Sequence, residues 1–139
     1  MSGLAVGTRL PDFTVDSVSG EHIRILALLL HDPNPIHFDL AAVAAAGLGD
    51  RVVSQGGATM AYIYDMLIAW TGSRRSVTRL ECRFQASVFA GDQVVCRGVV
   101  TAVRETPEGL AADCEVWADV RDGTRAITGS ATVLLPAPD

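Results

Sequence analysis

Residues 57–70 read GATMAYIYDMLIAW, and they divide the chain into two halves of different character. The run is apolar nearly all round and carries one charge, Asp65. Its length favours a helix over a strand, and Thr71-Gly72 ends it. A helix with almost no polar face must be covered on most sides. The spacing therefore predicts one central helix, and the rest of the chain has to supply its cover.

That cover is legible after residue 72, where the period changes from helical to alternating. CEVWADV (114–120) and RAITGSATVLL (125–135) alternate clearly. Strands are predicted over Ser76–Phe89, Gln93–Arg104, Leu110–Val120 and Arg125–Leu135. Turn residues separate them at Gly91-Asp92, Pro107-Glu108-Gly109 and Asp122-Gly123. Connections this short imply antiparallel neighbours. Upstream, LPDFTVDSV (10–18) alternates weakly and reads as a first strand. EHIRILALLL (21–30) reads as a buried helix that Pro33 and Pro35 prevent from continuing. Asp39 looks like the N-cap of LAAVAAAG, with Gly47 as its stop. One helix against an antiparallel sheet of about five strands is an α+β architecture.

The chain has 139 residues, which suits a single domain over 1–139. Its net charge of −5 argues against nucleic acid, whose phosphates need clustered Lys and Arg. Arg74-Arg75 is the only adjacent basic pair. Cys82, Cys96 and Cys114 are scattered without metal-ligand spacing and read as free thiols in a reducing compartment. No apolar run approaches the roughly 20 residues that span a bilayer, and MSGLAVGTRLPDF lacks a signal pattern. The expectation is a cytoplasmic protein with neither membrane nor nucleic-acid partners.

The chemistry is concentrated in DPNPIHFD (32–39). Asp32 and Asn34 each precede a proline, so the backbone between Asp32 and His37 is stiff and extended. Stiffness lowers the entropy cost of holding a carboxylate and an imidazole near each other. Alone, Asp32 is an ordinary turn former and His37 an ordinary loop histidine; together they can share a water. Hydration of an α,β-unsaturated thioester needs that pair, because water must lose a proton as it attacks and the α carbon must gain one. It also needs donors for the oxyanion, which Ser54-Gln55-Gly56-Gly57 offers at the start of the central helix.

Three stretches carry a resemblance to a known family. DPNPIHFD (32–39), AAGLGDRVVSQGGATMA (45–61) and RFQASVFAGDQV (83–94) resemble motifs of MaoC-like hydratases, the (R)-specific enoyl-CoA hydratases and related dehydratases. The resemblance spans about residues 5–135 and implies a hot-dog fold whose central helix is wrapped by the sheet. It implies Asp32 and His37 as the catalytic dyad, with Asn34 and Pro35 as its structural support. Gly56 would donate its N–H to the thioester oxygen, with Ser54, Gln55 and Gly57 beside it on the substrate side.

The implied reaction is (R)-specific hydration of trans-2-enoyl thioesters, or the reverse dehydration, with neither metal nor redox cofactor. The implied carrier is coenzyme A or an acyl carrier protein. Hot-dog subunits usually pair, so a homodimer is expected, or a heterodimer with a related chain. A hot-dog thioesterase and a non-catalytic or half-catalytic subunit of a heteromeric MaoC-like dehydratase are the alternatives. His31 stands where the family usually has Gly, Gln55 where it often has His, and Gly57 where it usually has Met. The missing side chain at Gly57 is expected to make room for a bulky acyl group.

Overall fold

The computed structural model describes residues 3–136. Its strands are β1 (Phe13–Val15), β2 (Val77–Phe84), β3 (Val94–Thr106), β4 (Gly109–Val120) and β5 (Arg125–Leu135). The helices are α1 (Gly20–Leu29), α2 (Leu40–Ala45) and α3 (Gly56–Thr71). All five strands form one antiparallel sheet in the order β1-β3-β4-β5-β2. Here α3 is the predicted central helix, extended by one residue at each end.

Alternation is what lets the sheet and α3 share a core. Val94, Cys96 and Val100 of β3 point to the same side as Ala112, Cys114, Val116 and Ala118 of β4. Ile63, Met66 and Leu67 of α3 pack into that layer, each at most 1% exposed. Burial pushes the Cys96 thiol up to about 12 and the Cys114 thiol up to about 11, so both are inert core groups. Ala61, Asp65 and Ala69 form the one exposed stripe of α3. The sheet thus covers most of this apolar helix but not all of it. At Gly129 a Cβ would overlap the Glu81 carbonyl oxygen across the β2–β5 pair, so this point of the sheet accepts only glycine.

Two strands differ from the sequence expectation, and α1, read as a buried helix, buries only Ile23 and Ala27. The first strand shrinks from Leu10–Val18 to Phe13–Val15. Pro11 has no N–H to continue the ladder, so the chain before it pairs with β3 separately, at an isolated Arg9–Val99 bridge flanked by hydrogen bonds of Gly7, Thr8 and Leu10. The strand predicted over Ser76–Phe89 ends at Phe84. Gln85 and Ala86 still donate to the Ala126 carbonyl of β5, and beyond them the chain leaves β5 and pairs with a different segment. The Ser54 N–H donates to the Val88 carbonyl at 2.7 Å and the Ala90 N–H to the Val52 carbonyl at 3.0 Å. That departure brings residues 85–88 beside the start of α3. No helix among the described residues is long and apolar enough to cross a membrane.

Candidate active site

The C-terminus of α1 places Asp32. His31 adopts the left-handed conformation with φ +51° and reverses the chain just past the helix. The His31 N–H then donates to the Leu28 carbonyl at 3.2 Å, and the Asp32 N–H to the Ala27 carbonyl at 2.9 Å. This pair of bonds is a Schellman closure, with Asp32 at its last position. A family glycine before the aspartate therefore has a physical reason: the position requires positive φ, which costs an L-residue roughly 1–2 kcal/mol. His31→Gly is expected to stabilise the fold by roughly 0.5–1 kcal/mol, after allowing for the extra chain entropy that glycine loses. Thermal denaturation reads this as a melting point a few degrees higher. A lower melting point would mean that the His31 side chain holds the turn.

The prolines and Asn34 place His37. The Asp32 Oδ1 accepts the Asn34 N–H at 3.0 Å, and the Asn34 Oδ1 accepts the Ile36 N–H at 3.3 Å. Asn34 thus caps the short turn Pro35–His37, with Pro35 at its first position, where no N–H is needed. His37 is buried at 6% exposure. Its Nδ1 lies 2.6 Å from the Val53 carbonyl oxygen. A carbonyl only accepts, so Nδ1 carries hydrogen and Nε2 is the nitrogen left for chemistry. Nε2 lies 3.2 Å from the Asp32 Oδ2.

The third part is the N-terminus of α3. Gly56 and Gly57 are the first two residues of the helix, so their N–H groups have no acceptor within it. A cavity of about 400 Å³ joins this terminus to the imidazole. Asn34, His37, Ser54, Gly56 and Thr59 line it. Residues 85–88, Phe84 and Ile127 form the opposite wall. The Phe84 ring stands directly over Gly56, where a Cβ would come within 3.0 Å of it.

The residues singled out by sequence do not all meet here. Asn34, His37, Ser54 and Gly56 share the cavity. Asp32 reaches it through its contact with His37 and itself lines a neighbouring cleft. Pro35 supports the turn from outside. The Gln55 side chain, by contrast, is buried away from the cavity, and its Nε2 donates to the Ile23 carbonyl at 2.8 Å. Gln55 also occupies the N-cap of α3 without a side-chain capping bond. It ties α1, which carries Asp32, to the helix that carries Gly56. The Ser54 Oγ donates to the Gln55 carbonyl at 3.4 Å. Gly57 faces open space, with nothing within 4 Å of where a Cβ would stand.

Sequence reasoning did not find Phe84, Thr59 or the 85–88 wall. The one signal for that wall was the small, polar run Gln85-Ala86-Ser87, which interrupts the alternation. The following Gly91-Asp92 turn is also part of the support. The Asp92 carboxylate accepts the Phe89 N–H at 2.9 Å and pairs with Arg51 at 2.7 Å. Arg51 lies over the Phe89 ring, 5.1 Å from its centroid. Among the described residues, no group of three or more His, Cys, Asp or Glu is placed to hold a metal.

A sequence profile described as MaoC like domain matches residues 7–114. Over 109 residues the chain is 28% identical to a mitochondrial 3-hydroxyacyl-acyl-carrier-protein dehydratase of Solanum lycopersicum. That match covers 78% of this chain but only 65% of the tomato protein's length. Over 116 residues the chain is 28% identical to an (R)-specific enoyl-CoA hydratase of Aeromonas caviae, covering 82% of this chain and 84% of that protein. Among solved structures, an (R)-hydratase from A. caviae involved in PHA biosynthesis superposes with a TM-score of 0.83 at 26% identity. It covers 98% of this chain and 100% of its own.

Proposed function

Because the chain belongs to the MaoC-like domain family, we propose that it adds water to trans-2-enoyl thioesters to give (R)-3-hydroxyacyl thioesters, or runs the reverse dehydration. The observation that carries this reading is the Asp32–His37 pair at 3.2 Å, opening on a cavity whose far side is the free N-terminus of α3. A water held by the pair gives up a proton to it as its oxygen bonds to the β carbon. The double bond's electrons move onto the thioester oxygen. The Gly56 N–H faces that charge with the positive end of the helix dipole behind it. The pair then returns a proton to the α carbon. Atoms and charge balance, because one water is consumed and the dyad ends as it began. The steps are proton transfers and draw on no metal or redox cofactor.

The His37 contact to Val53 supports this assignment, since it fixes the ring and leaves only Nε2 to exchange protons. Either carrier, coenzyme A or an acyl carrier protein, suits a cavity that opens to solvent. The proposed assembly is a homodimer paired through the free edge of β2, the longer of the two outermost strands of the sheet. A heterodimer with a related chain would use the same edge.

The test is loss of the enoyl-thioester absorbance with purified protein and a panel of trans-2-enoyl-CoAs. Free thiol is followed in parallel. Absorbance loss without thiol release is the expected result. Thiol release at the same rate would replace hydration with thioester hydrolysis.

A further inference from the structure

Three consecutive residues fix the chain just before α3. The Val53 N–H donates to the Ile36 carbonyl at 3.0 Å, and the Val53 carbonyl faces His37 Nδ1 at 2.6 Å. The Ser54 N–H donates to the Val88 carbonyl at 2.7 Å. On residues 53 and 54 these contacts use backbone atoms, which a change of side chain leaves in place. The third contact belongs to a side chain: Gln55 Nε2 donates to the Ile23 carbonyl of α1 at 2.8 Å. A carbonyl only accepts, so the amide nitrogen faces Ile23 and the amide oxygen takes the other position.

That oxygen carries a cost. Gln55 is 4% exposed, and its Oε1 is buried with no donor among the described residues. A buried acceptor left without a donor costs at least as much as one ordinary hydrogen bond contributes. The amide therefore adds little net stability, and what it supplies is geometry. Asp32 closes the end of α1, where its N–H donates to the Ala27 carbonyl. Gly56 directly follows Gln55. One side chain thus joins the element that aims the carboxylate to the element that presents the oxyanion donor.

We infer that Gln55 is a positioning residue for the hydration, whose tie to Ile23 sets the separation between the Asp32 carboxylate and the Gly56 N–H. The inference rests on the enoyl-thioester reading given above. The Gln55 side chain lies outside the cavity, so it acts through α1 and through the first turn of α3. Water attack and charge build-up on the thioester oxygen belong to one transition state, so the dyad and the donor must stay in register. A misplacement of about 1 Å can cost about 10²-fold in rate. Ile23 also packs into the core, but apolar contact is not directional and does not set that register.

The experiment compares wild type with Q55M and Q55H on an active enoyl-CoA. Methionine has the reach of glutamine with neither its donor nor its orphan oxygen. The lost bond and the lost orphan offset each other, so the melting temperature of Q55M is expected to stay near that of wild type. Its kcat is expected to fall at least about tenfold with KM within about threefold, because alignment is lost and binding is not. Q55H turns an imidazole N–H toward the same carbonyl and is expected to recover most of that loss. A kcat for Q55M within about threefold of wild type overturns the inference. A melting temperature that collapses together with kcat overturns it too, since Gln55 is then a stabilising residue only. So does Q55H as slow as Q55M.

If wild type hydrates no enoyl-CoA, the hydration reading fails, and amide hydrogen exchange tests the tie by itself. The Asp32 and Val53 N–H groups report its two ends. Exchange at both that rises at least about tenfold in Q55M, with β3 and β4 unchanged, keeps Gln55 as the residue that holds α1 against the start of α3. Unchanged exchange at either end overturns it.

Discussion

Asp32→Asn and His37→Ala are each expected to lower the hydration rate by at least about 10²-fold while leaving a folded protein, because each removes a group that handles protons in the transition state. Asparagine keeps the shape of the aspartate and its acceptor oxygen for the Asn34 N–H. It cannot take a proton from water. Alanine at 37 removes Nε2 altogether and frees the Val53 carbonyl, so some stability is lost with it. The two residues act on one water, so the double variant is expected to fall little below the worse single one. Steady-state rates on an active enoyl-CoA, with circular dichroism on each variant, measure this. Rates within about threefold of wild type for either single variant would remove that residue from the chemistry. Multiplying losses in the double variant would mean that the two act in separate steps.

Leu67→Ala should do the opposite and weaken the fold while leaving the site's groups in place. Leu67 is fully buried on the face of α3 that meets the sheet. Truncating such a side chain removes transfer free energy and leaves a cavity, together about 2–5 kcal/mol. Domains of this size have roughly 5–15 kcal/mol in all, so the midpoint of chemical denaturation should move far to lower denaturant. The folded fraction should still hydrate substrate at low temperature, because α3 would keep its N-terminus beside His37. A midpoint unchanged within error would mean that α3 is not the centre of the core. Set beside the dyad variants, this substitution separates the residues that hold the scaffold from those that use it.

Most of the scaffold could be read from periodicity. The run from Gly57 to Trp70 has one charge, which forces a central helix, and the alternation after residue 72 forces an antiparallel cover. The elements that escaped are those decided by partners far along the chain. Val88 and Phe89 resume the apolar pattern of β2, yet Val88 accepts from the Ser54 N–H and Ala90 donates to the Val52 carbonyl. Nothing local distinguishes a strand that stays with its sheet from one that crosses to another segment. The N-terminal strand was over-read for a simpler reason, since the missing N–H of Pro11 outweighs the weak alternation around it.

The site was legible in a similar way. Asp32, Asn34 and His37 announce themselves because prolines restrict the backbone between them. The left-handed φ of His31 explains why glycine is usual before the aspartate, and no composition argument could have shown that a histidine would tolerate it. Gln55 was read as a polar group beside the substrate. Its side chain instead spans to the Ile23 carbonyl, and its burial depends on where α1 packs. The exposure of the α1 C-terminus was invisible for the same reason. Leu28 looks like core in a compact apolar run, and only the helix's orientation leaves it exposed.

The most direct test of the central claim is the chirality of the product. Wild type is incubated with crotonyl-CoA, and the 3-hydroxybutyryl-CoA is isolated and resolved on a chiral column. The reading of Asp32, His37 and Gly56 as a hydratase of this family predicts the (R) product, formed in step with the absorbance loss and without free thiol. The (S) product, a racemate, or butenoate released by hydrolysis would contradict it.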